Sequence, residues 1–128
     1  MISQPQPKYP GLAPISNYGD GGFRFADMSH RGSLLLLPSG IYAWEVTEFS
    51  ALKLDDFKQI FAEADKFEFL LLGCGPKLML PELVIREAFE THNTGLEYMG
   101  TGAAVRTYNV LLAEKRAIAA ALIAVENP

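Results

Sequence analysis

A single cysteine, Cys74, stands in this chain of 128 residues. No internal disulfide can form, and the expected surroundings are reducing. The two histidines, His30 and His92, lie far from Cys74 and from each other in sequence. That leaves no ligand set with zinc spacing, so no metal is expected. Local clusters of basic residues are missing too. Eleven Lys and Arg stand against 15 Asp and Glu, a net charge of −4. Nucleic acid is excluded as the main partner, because phosphate contacts need a basic face. The longest nearly uncharged run, 117–125, falls far short of the ~20 residues that span a bilayer. The opening Met1-Ile2-Ser3-Gln4-Pro5-Gln6-Pro7-Lys8 has no apolar core like that of a secretory signal. Regular alternating strands of the outer-membrane barrel type are also lacking. Together these absences predict a cytoplasmic protein.

Two common phosphate-cofactor patterns fail as well. After Gly73-x-Gly75, the third glycine of a dinucleotide fingerprint would fall at Leu78, and Pro76 blocks the usual helix start. No Gly-Lys-Ser/Thr follows four spacer residues, so there is no P-loop. The sequence therefore predicts no cofactor.

What is present is a globular composition, 49% hydrophobic and 20% charged. The length fits one domain. Residues 1–14 are Pro- and Gln-rich and predict a flexible segment ahead of a single domain over 15–128. Tyr18-Gly19-Asp20-Gly21-Gly22 predicts a flexible turn. Phe23-Arg24-Phe25, Ser33–Leu37 and Ile41–Val46 read as strands joined by tight turns, an antiparallel section. From residue 50 the pattern changes. An amphipathic helix is predicted over 54–64, with Phe57, Ile60, Phe61 and Ala64 on one face. A buried strand follows over 67–73. A helix over 81–93 comes next, its apolar surface drawn from Leu83, Ile85, Ala88 and Phe89. Then come a short strand over 96–99 and a helix over 102–113. Ala117–Val125 fits a helix extension or a buried strand equally well. Alternation of strand and helix predicts a parallel sheet covered by helices.

In such a sheet, ligands sit beyond the carboxyl ends of the strands. Two of those ends carry glycine: Gly73-Cys74-Gly75-Pro76 and Gly100-Thr101-Gly102. If the strands are neighbours, the two loops share one mouth. The small residues at the second loop leave helix-start N–H groups open. Arg106, four residues after Gly102, can lean back over them. The candidate mouth is therefore Gly73, Cys74, Gly75, Thr101, Gly102, Arg106 and Asn109. It would suit a carboxylate, phosphate or sulfate. Close packing of glycines, with Arg106 paired on the surface, explains the same residues. Cys74 between two glycines invites a nucleophile, but neither histidine has a context that makes it the base. Asp55-Asp56 suits a helix start better than acid–base work. Trp44 and Tyr42, with Phe23 and Phe25, offer a possible aromatic surface for a partner, against the usual alternative of core packing.

Several of these residues also stand in the order of a known family. Phe23-Arg24-Phe25, Gly32-Ser33, Trp44, Leu70-Leu71-Leu72-Gly73-Cys74-Gly75 and Pro81 are followed by Gly102-Ala103-Ala104-x-Arg106-Thr107-Tyr108-Asn109-Val110-Leu111-Leu112-x-Glu114. Over roughly 15–125 the chain resembles a small uncharacterised domain family that includes mitochondrial complex I (NADH dehydrogenase) assembly factor three. Cys74 stands where that family commonly has threonine, and Gly100 where it has aspartate. The resemblance implies a three-layer α/β fold. Its central mixed sheet has about five strands, the last antiparallel to the rest, which makes Ala119–Val125 a strand.

The resemblance also implies assembly or interaction work, and places the chain beside bacterial members that have no assigned reaction. The first expectation is thus a non-enzymatic interaction or assembly protein. Its protein partner would bring it to the inner face of the cytoplasmic membrane. The alternative is a small-molecule or anion-binding domain with a weak enzyme activity, working at the Gly73–Gly75 and Gly102–Arg106 mouth. No catalytic residue is assigned.

Overall fold

The computed structural model describes residues 5–128. Nine strands and three α-helices are built in chain order. They are β1 (Tyr9–Pro10), β2 (Ile15–Gly19), β3 (Gly22–Phe25), β4 (Met28–Arg31), β5 (Ser33–Leu37), β6 (Gly40–Trp44), α1 (Lys58–Phe61), β7 (Phe69–Gly73), α2 (Leu83–Thr91), β8 (Gly95–Met99), α3 (Thr101–Ala113) and β9 (Ile118–Leu122). A six-stranded sheet runs in the order β1-β6-β5-β9-β7-β8, and β2-β3-β4 form a separate antiparallel sheet. The large sheet is mixed: β7 is parallel to β8 and β9, while β5 is antiparallel to β6 and β9.

The last strand corrects an expectation. It is not antiparallel to the rest, and it is no edge strand. It lies between β5, to which it is antiparallel, and β7, to which it is parallel. Both its faces are covered, so alanine's helix propensity is overridden by burial. Ala120 pairs with Leu36 on one side and Leu71 on the other; Ala121 pairs with Leu35 and Leu72. The leucines supply bulk beside the small central residues.

Strand alternation divides the core into two halves. Leu35, Leu37, Leu70, Leu72, Ala119 and Ala121 face one side, where Phe57, Ile60, Ile85 and Phe89 pack. Leu34, Leu36, Leu71, Ala120 and Leu122 face the other, against Ala104, Val105 and Tyr108 of α3 and Ile15, Phe23 and Phe25 of the small sheet. Three layers result.

The small sheet holds more strands than its sequence suggested. Asp20 and Gly21 both have positive φ (51° and 77°), the geometry of a two-residue hairpin turn. Ala26 and Asp27 repeat it (48° and 61°) without a glycine. That second turn lacks the usual sequence signal, so β4 was hidden.

Other boundaries shift for local reasons. Asp56 accepts the Lys53 N–H at 2.8 Å, and Leu54–Phe57 winds as a 3-10 turn before the short α1. In α2, Ile85 and Phe89 are buried while Leu83 is exposed. Leu83 lies ~200° around the helix from Ile85, on the far side. Of the segment 1–14, residues 1–4 lie outside the described residues. Beyond them Tyr9–Pro10 pairs with β6 and Ala13 is buried. Among the described residues no helix is long and apolar enough to cross a membrane.

Candidate functional site

Because β7 and β8 are parallel neighbours with Gly73 opposite Met99, the two glycine-bearing loops leave the sheet side by side. Thr101 joins them. Its N–H donates to the Gly75 carbonyl at 2.8 Å. Its hydroxyl accepts the Gly75 N–H at 3.0 Å and donates to the Ile123 carbonyl at 2.7 Å. Thr101 is fully buried, so each of these bonds replaces one with water. Ile123 N–H donates to the Gly73 carbonyl at 3.0 Å. One side chain thus ties together the ends of β7 and β9 and the start of α3. Gly73 makes room for it: a Cβ there would stand 3.0 Å from Thr101 Oγ1 and 3.1 Å from Leu122 Cδ2. Gly75, at φ +106°, turns the loop outward.

Above this buried knot lies an open depression of ≈ 420 Å³, lined by Gly75, Lys77, Leu78, Gly102, Arg106 and Tyr18 among others. Tyr18 comes from β2, and its hydroxyl rests where a Cβ on Gly102 would be. Arg106 does reach back along α3, its Nη1 3.5 Å from that same point. Arg106 and Lys77 are exposed and make no ion pair among the described residues. The mouth is cationic and shallow.

The other residues named from the sequence are placed elsewhere. Gly73 and Thr101 lie beneath the depression and do not line it. Asn109 is two turns along α3. Its Oδ1 accepts the Ile15 N–H and its Nδ2 donates to the Ile15 carbonyl, both at 2.8 Å. Tyr108, next to it, is fully buried and donates to the Ala13 carbonyl at 2.8 Å. Burial pushes the Tyr108 phenol far above its ordinary range, partly offset by that hydrogen bond. Cys74 faces the opposite half of the core, beside α2. It is buried, and its thiol points at the Met79 carbonyl at 3.5 Å. Burial raises the thiol pKa, with the Met79 and Met99 backbone bonds acting weakly against it. A buried, protonated thiol is no nucleophile.

Trp44 and Tyr42 do not form a partner surface, because both are buried. Trp44 stacks edge-on against Phe57, with centroids 5.9 Å apart, and donates its indole N–H to the Asp56 carbonyl at 3.0 Å. Tyr42 pairs with Ser39 through their hydroxyls. Phe23 and Phe25 are core residues as well.

A different surface stands out instead. Leu78 (59% exposed), Leu80 (59%), Leu83 (57%), Val84 (49%) and Met79 (40%) lie within seven residues, from the loop after β7 into the first turn of α2. This segment is pinned, not slack. Pro81 is buried, its carbonyl accepts from Arg86 Nε at 3.0 Å, and the Met79 carbonyl faces Cys74. So many large apolar side chains held out in water are characteristic of an interaction surface. Its sequence signal was the apolar run Leu78-Met79-Leu80 set between a glycine turn and Pro81.

Three comparisons bear on the whole domain. Residues 15–123 match the profile of a protein family of unknown function, DUF498/DUF598. An uncharacterised protein of Rhodobacter capsulatus is 36% identical over 118 residues, covering 92% of this chain and 90% of its own. NADH dehydrogenase [ubiquinone] 1 alpha subcomplex assembly factor 3 of Drosophila melanogaster is 30% identical over 112 residues, 85% of this chain. The match spans only 57% of the fly protein. In three dimensions, the crystal structure of an outer membrane protein from Bartonella henselae superposes with a TM-score of 0.88 at 49% identity, covering 92% of this chain and 99% of that one.

Proposed function

As the chain belongs to the DUF498/DUF598 family of proteins of unknown function, we propose that it is a non-enzymatic interaction or assembly protein whose protein partner docks on the Leu78–Val84 segment. The observation that carries this reading is that segment itself: five large apolar side chains exposed together on a backbone fixed at Pro81 and Met79. Its kinship with an assembly factor of NADH dehydrogenase supports the same class of work. The candidate nucleophile is buried with a raised pKa, and its thiol faces backbone carbonyls, while His30 and His92 bond to the Ser33 and Ala88 carbonyls. The protein would act in the cytoplasm, reaching the membrane through its partner. The test is affinity capture from the cells of origin with the tagged chain and with the double variant Leu80→Asp, Leu83→Asp. The reading expects one stoichiometric partner, recovered by the parent and lost by the variant. Equal recovery by both contradicts it.

A second reading, an anion site at the mouth, is favoured by Lys77 and Arg106 flanking the open start of α3. Titration with sulfate followed by NMR checks it. Shifts at Gly75, Gly102 and Ala103 that vanish in Arg106→Ala support it; unmoved resonances dismiss it.

A further inference from the structure

The sequence shows no run of basic residues, yet the fold assembles a basic face. In β3 and β4, Phe23 and Phe25 point into the core, so Arg24 points outward. The register sets Arg24 opposite Ser29 and Gly22 opposite Arg31. Arg24 and Arg31 are therefore diagonal neighbours on the outer face of the small sheet, a relation that spaces Cα atoms by roughly 7–8 Å. Asn17 of β2, opposite Arg24, completes the row. This face borders an open depression of ≈ 370 Å³ lined by Asn17, Gly19, Asp20, Arg24, Ser29 and Arg31 among others.

Three properties make it more than a solvated surface. First, like charges on a diagonal repel each other, and among the described residues no ion pair offsets that repulsion directly. Neither arginine has an ion pair among the described residues. Arg24 is oriented by donating to the Ser29 hydroxyl at 2.7 Å. Second, among the described residues the only acid lining the depression is Asp20, in a chain with more acids than bases. Glu126 approaches Arg31 at the hairpin tip without pairing with it. Third, glycines at 19 and 22 leave the backbone floor bare, and Gly22 is required, since a Cβ there would run into the His30 carbonyl. A bare floor with a guanidinium pair, an amide and a hydroxyl fits a row of carboxylates, which arginines bind through paired N–H donors.

We propose that the outer face of β2-β3-β4 docks an acidic segment of the protein partner, with its carboxylates on Arg24 and Arg31. This rests on the interaction reading above and names a second contact, separate from the apolar segment. An anionic bilayer is the weaker fit, because the net charge of −4 repels an extended negative surface while two arginines answer a short acidic stretch.

The probe is a labelled ten-residue glutamate peptide added to the full chain. Binding is followed by anisotropy at low and high salt and by NMR. The expected result is salt-sensitive binding with shifts at Asn17, Gly19, Gly22 and Ser29. Arg24→Glu and Arg31→Glu should each weaken it about tenfold or more with unchanged melting temperature. Absence of binding, shifts confined to another face, or full binding by the double variant Arg24→Glu, Arg31→Glu overturns the proposal. Vesicles of phosphatidylserine and phosphatidylcholine that bind through these arginines when the peptide does not also overturn it. If Leu80→Asp, Leu83→Asp leaves partner capture intact while the peptide still binds, the apolar docking site fails and this face stands. If that variant loses the partner while the peptide never binds, this face fails alone.

Discussion

The Asn109 side chain pairs with the backbone of Ile15 through two hydrogen bonds of 2.8 Å, one accepted and one donated. A primary amide presents the same donor and acceptor as a peptide group, so Asn109 acts as one residue of a neighbouring strand at the outer edge of β2. The partners are 94 residues apart in sequence, and α3 is thereby fixed to the small sheet.

Asn109→Ala leaves the Ile15 N–H and carbonyl without their partner, a loss of about 1–3 kcal/mol. Asn109→Asp keeps the acceptor but faces the Ile15 carbonyl with a second oxygen, and should cost at least as much. Urea denaturation measures the loss, and amide exchange should quicken first at Ile15.

Thr101→Val keeps shape but removes the hydroxyl between Gly75 and Ile123. Two buried backbone groups are orphaned, so stability should fall by about 2–4 kcal/mol, read from the shift of the urea midpoint. Thr101→Ser should retain most of it. Equal loss in both variants would show that the methyl, not the hydroxyl, matters.

Cys74 should resist alkylation at neutral pH in the folded protein and react readily in denaturant. Its burial both blocks access and raises the thiol pKa. Rapid modification of the native protein by a maleimide would contradict this placement.

His30 carries a pH dependence. Burial lowers its pKa, with Lys8 adding to the effect and the bond to the Ser33 carbonyl working against it. The folded state therefore prefers the neutral ring. Its contribution is fully present above the unfolded value of about 6.5 and is lost as pH falls through the lower folded value. Melting temperature should drop between pH 7 and pH 5, and His30→Gln should flatten that part of the profile.

Much of the fold was legible because period and punctuation agreed. Ser33–Leu37 and Phe69–Gly73 are continuous apolar runs ending at turns, and both are buried strands. The α/β class follows from the alternation of strand and helix; the three layers were implied by the family resemblance. β4 was hidden because its turn uses Ala26 and Asp27 in place of glycine. The central position of β9 depends on long-range pairing with both β5 and β7, which no local pattern encodes. At the mouth, the meeting of Gly75 and Gly102 was legible from strand ends. Cys74 fits the default of a small cysteine turned partly inward, but which half of the core it enters was not legible, because two glycines beside a cysteine say nothing of which way it points. Trp44 and Tyr42 could be core or surface from sequence alone, and the packing of Phe57 on Trp44 decided it. Of the exposed Leu78–Val84 segment, only Leu83 carried an expectation, as apolar helix surface, and it lies on the side of α2 away from Ile85.

That segment is where the account is most exposed to test. Hydrogen–deuterium exchange of the chain, alone and with the captured partner, reads it directly. The account predicts slowed exchange across residues 77–84 on complex formation, with β9 unchanged. A bound partner that leaves 77–84 exchanging freely would contradict it.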